Sequence, residues 1–236
     1  MGKLDAFNRV KEVGIIPAMR TSSKEDAVRA VGAILEGGID VIEISIALED
    51  SLEVLAAVVA AHSNAVLIGA GTVVDAEGVR QAALAGAKFI VTPGFSADAV
   101  AKAKEFDLAM FAGALTPTEV QTASASGADA VKLFPCFASG GTRYLKALIG
   151  QYPNTNFIAS GGVGLDNCSD YIRSGACAIG VGGEIADFES LSKGDYRVFT
   201  VRARRLREAV IDARTVMEES VSFNVRTHRR LAKRDA

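Results

Sequence analysis

Eight short apolar runs recur along the 236-residue chain, separated by longer segments, several of them with helical periodicity. This alternation limits the possible folds more than any other feature. The runs are Gly14–Arg20, Asp40–Ile46, Ala65–Gly69, Phe89–Val91, Ala109–Phe111, Ala130–Phe134, Asn156–Ala159 and Ala178–Val181. They are nearly continuous in apolar residues, as parallel strands covered on both faces should be. Ser23 to Asp26 has capping-box spacing and opens a helix that Gly37-Gly38 closes. Residues 51–62 and 75–85 are helical in period, and Thr118-Glu119 opens a segment ending near Gly127. A glycine just ahead of a strand recurs at Gly37, Gly86, Gly127 and Gly175, the αβ connection of a repeating unit. Eight such units predict an α/β fold, a single (β/α)8 TIM barrel. The first 12 residues read as a leading N-terminal helix, and the last long helix spans roughly 194–219. The barrel is therefore expected over 1–220, followed by a loosely ordered basic C-terminal tail, 221–236.

Charge is unevenly spread. From Arg197 to Ala236, Lys/Arg outnumber Asp/Glu 11 to 5, and in the remaining 196 residues the balance reverses to 15 against 23. The basic tail reads as a solvated helix packed on its own acidic body or on a neighbouring subunit. Nucleic acid is not an expected partner, because aromatic residues do not interleave with these charges as base stacking requires. Cys136, Cys168 and Cys177 form no C-x-x-C pair, and His62 and His228 are the two histidines, so no metal site is expected. Unpatterned cysteines suit a reducing cytoplasm. Met1–Asp5 lacks the apolar segment of a signal peptide, and no apolar run reaches membrane-spanning length.

In a barrel of this kind, chemistry gathers at the C-terminal ends of the strands. Polar residues at those ends are Arg20, Glu43, Thr72, Lys132 and Ser160. Lys132 sits inside Ala130-Val131-Lys132-Leu133-Phe134. A buried ammonium is costly unless it is paired or sheds its proton, and a neutral amine in a dry pocket is a nucleophile toward ketones. Glu43, between Ile42 and Ile44, suits either general acid/base work or an ion pair with Lys132 or Arg20. Gly161-Gly162 and Gly182-Gly183 fall in the loops after strands seven and eight, where such barrels hold phosphate on backbone amides.

Five motifs in this order make the chain resemble the 2-keto-3-deoxy-6-phosphogluconate (KDPG) and 4-hydroxy-2-oxoglutarate (KHG) aldolases over roughly Val13 to Val210. They are Gly38-Ile39-Asp40-Val41-Ile42-Glu43-Ile44-Ser45, Gly69-Ala70-Gly71-Thr72-Val73, Val91-Thr92-Pro93-Gly94, Leu115-Thr116-Pro117-Thr118-Glu119 and Val131-Lys132-Leu133-Phe134-Pro135. The resemblance implies a class I aldolase of the Entner–Doudoroff pathway. It would cleave KDPG reversibly to pyruvate and glyceraldehyde 3-phosphate, without metal or organic cofactor, in a cytoplasmic homotrimer. KHG, the phosphogalactonate epimer and non-phosphorylated 2-keto-3-deoxy acids are the alternative substrates, and a non-catalytic phosphosugar-binding barrel is a more distant one.

By the same resemblance, Lys132 is the Schiff-base lysine and Glu43 the general acid/base. Thr72 lies beside the pyruvate carboxylate, Arg20 binds anionic groups, and Pro93 and Phe134 wall the imine. Ser160 leans the chain toward the gluconate type. Ala47 stands where some members carry a second arginine, Ala112-Gly113 where Pro-Gly is common, and Gly183-Glu184 where the last phosphate loop has a serine. Loss of that hydroxyl removes about 1.5–3 kcal/mol of anion binding.

Overall fold

The computed structural model describes residues 2–232 and shows eight parallel strands closed into a barrel in the order β1 to β8. The strands are β1 (Ile15–Met19), β2 (Val41–Ser45), β3 (Leu67–Gly71) and β4 (Phe89–Val91), then β5 (Ala109–Ala114), β6 (Ala130–Leu133), β7 (Phe157–Ser160) and β8 (Ala178–Val181). The leading helix is α1 (Lys3–Val13), and α2 (Lys24–Glu36), α3 (Ser51–His62), α4 (Ala76–Leu84) and α5 (Ala97–Glu105) follow the first four strands. After β5 come α6 (Pro117–Ala125), α7 (Gly141–Gln151) and α8 (Cys168–Arg173), and after β8 come α9 (Phe188–Ser192) and α10 (Arg197–Ala232).

Local chemistry accounts for most of the boundaries. Ser23 accepts the Asp26 N–H at 3.2 Å and caps α2. Only half of the expected capping box forms there, because the Asp26 carboxylate instead accepts the Tyr196 hydroxyl at 2.6 Å. The full box belongs to α6: Thr116 Oγ1 accepts the Glu119 N–H, and Glu119 accepts the Thr116 N–H at 2.7 Å. That helix thus begins at Pro117, one residue before the sequence pattern placed it, since proline at the first helical position needs no partner for its nitrogen. The glycines ahead of β2, β4, β6 and β8 sit in the left-handed region at Gly38, Gly86, Gly127 and Gly175, with Gly37 itself still helical.

Two strands differ from expectation by more than one residue at an end. β3 begins at Leu67, because the Ala65 and Val66 N–H groups close a turn onto the His62 carbonyl and the ladder starts with Leu67 N–H to Asp40 O. β5 continues through Ala112-Gly113-Ala114, small residues of low strand propensity, because β6 pairs with all three. At the far end, α10 is one helix to Ala232, with no backbone break at 220 to set off a separate tail; no glycine or proline interrupts it after Gly194. Residues 233–236 of the expected tail lie outside the described residues.

The barrel interior is graded along its axis. Ile16, Val41, Leu67, Phe89, Val91, Ala109, Phe111, Ala130, Ile158 and Ala178 fill its lower part, with Ala6, Phe7 and Val10 of α1 closing the bottom. The Phe111 ring lies 5.8 Å from Phe7 and 5.4 Å from Phe89. Lys3 pairs with Asp129 at 3.0 Å and Arg9 with Asp40, and Arg214 of α10 donates to the carbonyls of Lys11 and Glu12 at the end of α1. The helices cover the outside through a second, larger apolar layer.

Truncating Phe111 to Ala removes the ring shared by the bottom plug and should cost about 3–5 kcal/mol of unfolding free energy in a urea titration. Leu84→Ala, on the 70%-exposed side chain, should change it by no more than about 0.5 kcal/mol.

Candidate active site

The period-2 alternation of the strands carries the apolar interior upward into a polar one. Lys132 stands two residues above Ala130 on β6, and Glu43 two above Val41 on β2. These strands are opposite one another in the closed order, so the two side chains meet across the barrel. Lys132 Nζ lies 3.7 Å from Glu43 Oε2, with side-chain exposures of 11% and 5%. The amine also lies 5.3 Å from the centre of the Phe134 ring.

Space for the carboxylate comes from glycine. Glu43 and Ser45 register with Gly69 and Gly71 of β3. A Cβ on Gly71 would stand 1.8 Å from Glu43 Oε1, so any side chain there would evict the carboxylate. A Cβ on Gly113, the register partner of Lys132, would collide with the Pro93 and Gly94 backbone at 2.4–2.5 Å. Thr92, fully buried, accepts the Gly113 N–H at 2.9 Å and holds Pro93 against β5.

A cavity of about 660 Å³ opens above the pair. It brings together eight of the residues singled out by sequence: Arg20, Glu43, Thr72, Pro93, Lys132, Phe134, Gly182 and Gly183. Arg20 is exposed and has no hydrogen-bond or ion-pair partner among the described residues. Gly182 and Gly183 are open: a Cβ on either would meet nothing within 4 Å.

Ser160, Gly161 and Gly162 do not line this cavity. Gly161 is packed behind Phe134 and Pro135, where a Cβ would come within 2.8–3.1 Å of both, and Gly162 is packed against Phe137. Ser160, buried at the end of β7, faces Gly180 of β8, whose missing Cβ leaves room for its hydroxyl. Glu184 is exposed, lies outside the cavity lining and rests against Gly164. Cys136, four residues past Lys132, does not rival it as a nucleophile, since burial raises its thiol above the ordinary value.

The cavity also holds residues that the sequence reading passed over, among them Ser45, Leu48 and Asp187. Ser45 was legible as the next inward position after Glu43. Asp187 was not: its cap of α9 through the Ser190 N–H at 2.8 Å is local, but its ion pair is with Arg202 of α10, on a separate element. The hydrogen bond from Arg202, with those from Ser190, holds the Asp187 carboxyl well below the usual carboxylate range.

A carboxyl depressed in the folded state stabilises the fold above its unfolded pKa of about 4, and that contribution fades as pH falls toward the lower folded value. Thermal unfolding from about pH 5 to pH 2 should therefore show a shallower fall in Tm for Asp187→Asn than for the unmodified protein. Equal slopes would show that the pair contributes nothing.

A family model described as "Aldolase: KDPG and KHG aldolase" matches residues 7–203. The 2-dehydro-3-deoxy-phosphogluconate aldolase of Treponema pallidum is 31% identical over 204 residues, 86% of this chain and 97% of that protein. The 2-dehydro-3-deoxy-6-phosphogalactonate aldolase of Escherichia coli is 33% identical over 172 residues, 72% of this chain and 83% of that protein. Among solved structures, the KDPG aldolase of Legionella pneumophila with pyruvate captured as a covalent carbinolamine superposes with a TM-score of 0.78 at 25% identity. That superposition covers 82% of this chain and 93% of that one.

Proposed function

The chain belongs to the KDPG and KHG aldolase family, and on that premise we propose that it is a class I aldolase, a carbon–carbon lyase that joins its substrate to Lys132. The observation that carries this reading is the Lys132–Glu43 pair, a buried amine and carboxylate 3.7 Å apart at the floor of a cavity open to small molecules. The substrate is a 2-keto-3-deoxy-6-phospho sugar acid, KDPG, cleaved to pyruvate and glyceraldehyde 3-phosphate.

Uncharged at the moment of attack, Lys132 adds to the C2 ketone and forms a carbinolamine. Loss of water gives a protonated imine, whose cationic nitrogen withdraws electrons from C3. Glu43, directly or through one water, takes the C4 hydroxyl proton. The C3–C4 electron pair then moves into an enamine, and the aldehyde leaves. Protonation at C3 and hydrolysis release pyruvate and restore the amine. Pro93 and Phe134 exclude water from the imine, Thr72 meets the carboxylate, and Arg20 supplies the free cation for an anionic group. Packing and backbone conformation do not demand glycine at 182 and 183, whereas close approach of a ligand does account for it. Ser160, Gly161 and Gly162, substrate-binding by the family resemblance, close the β7 side of the site, where Gly161 lies against Phe134. We also assign the protein to the cytoplasm and to a homotrimer, as the family resemblance implies. Among the described residues no helix is long and apolar enough to cross a membrane.

Borohydride reduction with pyruvate should add one pyruvyl unit to the peptide carrying Lys132 and none in Lys132→Met; an unlabelled Lys132 peptide would overturn the Schiff-base reading. Glu43→Gln should keep the label and lose about 10²–10⁴-fold in kcat. The Gly183-Glu184 loop, which lacks a hydroxyl donor, supports a second reading in which the tail of the substrate is not phosphorylated. Removing the 6-phosphate from the substrate should lower kcat/KM by at least about tenfold if phosphate is bound here, and leave it unchanged on the second reading.

A further inference from the structure

Thr72 is a β-branched residue at φ 59°, a conformation such residues rarely adopt. The strand geometry gives the reason. Gly69 and Gly71 of β3 are in register with Glu43 and Ser45 and share their inward face, so simple alternation would send residue 72 outward into the helix layer. The left-handed turn at Thr72 ends the strand and returns its side chain to the cavity. There Thr72 Oγ1 lies 2.9 Å from Ser45 Oγ. Ser45 is 4% exposed, and the Thr72 hydroxyl is the one side-chain partner of its Oγ among the described residues. Strain of this kind at a cavity wall persists only where surrounding contacts fix it.

We propose that Ser45 is a positioning residue that fixes the direction of the Thr72 hydroxyl and so tunes recognition of the 2-keto acid carboxylate. Two hydroxyls in contact can share one hydrogen bond in either direction. A Thr72 that donates to Ser45 has no proton left for a ligand. A Ser45 that donates to Thr72 leaves the Thr72 proton aimed into the cavity, where an anionic acceptor completes the chain Ser45 O–H to Thr72 O–H to carboxylate. Ser45, 4% exposed at the wall of the same cavity, acts on the carboxylate through the Thr72 hydroxyl. The inference rests on the Schiff-base reading above, since that chemistry places a carboxylate next to the imine carbon.

Borohydride trapping across a pyruvate titration tests it. Ser45→Ala should raise the half-saturating pyruvate concentration about five- to tenfold while kcat for cleavage stays within about twofold. Ser45→Thr, which keeps the hydroxyl, should restore the original value. In the Thr72→Val background the Ser45→Ala change should add nothing, because the group it acts through is gone. A half-saturation value unchanged in Ser45→Ala, or a full additional loss in the double variant, would overturn the proposal. If Ser45→Ala does not fold, Ser45→Cys keeps the volume, weakens the donor and carries the same comparison. Absence of any pyruvate label on the unmodified protein would instead bring down the Schiff-base reading, and the two failures are distinguishable for that reason.

Discussion

Closure of the eight-stranded barrel is the constraint on which the rest of the structure depends. β2 and β6 are far apart in the chain and are not hydrogen-bonded to each other. Only a closed ring turns their inward faces toward one another at a separation that lets Lys132 reach Glu43. An open sheet of the same strands would leave both groups in the interface with the helices, each an unpaired charge in apolar surroundings. Closure also explains the gradient along the axis. The narrow bottom is filled by Phe7, Phe89 and Phe111, while the same inward positions one step higher carry Glu43, Lys132, Ser45 and glycines. Stability and chemistry are thus separated by a few ångströms of strand rise.

Glycine shapes this site by absence. Gly71 yields its side-chain volume to the Glu43 carboxylate, and Gly113 yields its own to the Pro93 backbone, so the acid and one wall of the cavity occupy space that a Cβ would fill. Thr72 then meets the polar wall by bending the chain rather than by following the strand. Asp187 and Arg202 tie the last loop of the cavity to α10, so the C-terminal helix contributes to the mouth of the site as well as to the outer layer.

Much of this was readable in the sequence. The eight apolar runs mark the eight strands, and the placement of Glu43, Lys132 and Ser160 on them follows from counting. Boundaries were less readable where tertiary pairing overrides local preference: Ala112-Gly113-Ala114 is a poor strand by propensity and becomes one because β6 needs a partner. The loop after β7 was read as a ligand loop from its glycine pair, and Gly161 and Gly162 also take positive φ and lie where a Cβ would press on Phe134, Pro135 and Phe137. Packing and ligand approach leave the same mark in a sequence.

By itself the sequence determined the strand count and the residues facing inward, because these depend on periodicity, which is local, and its five motifs carried the family resemblance that implied the reaction type. The tertiary structure alone decided which inward residues share a cavity, that Thr72 turns back to meet Ser45, and that Asp187 answers Arg202. Those relations depend on distances between segments far apart in the chain, and only closing the barrel sets them.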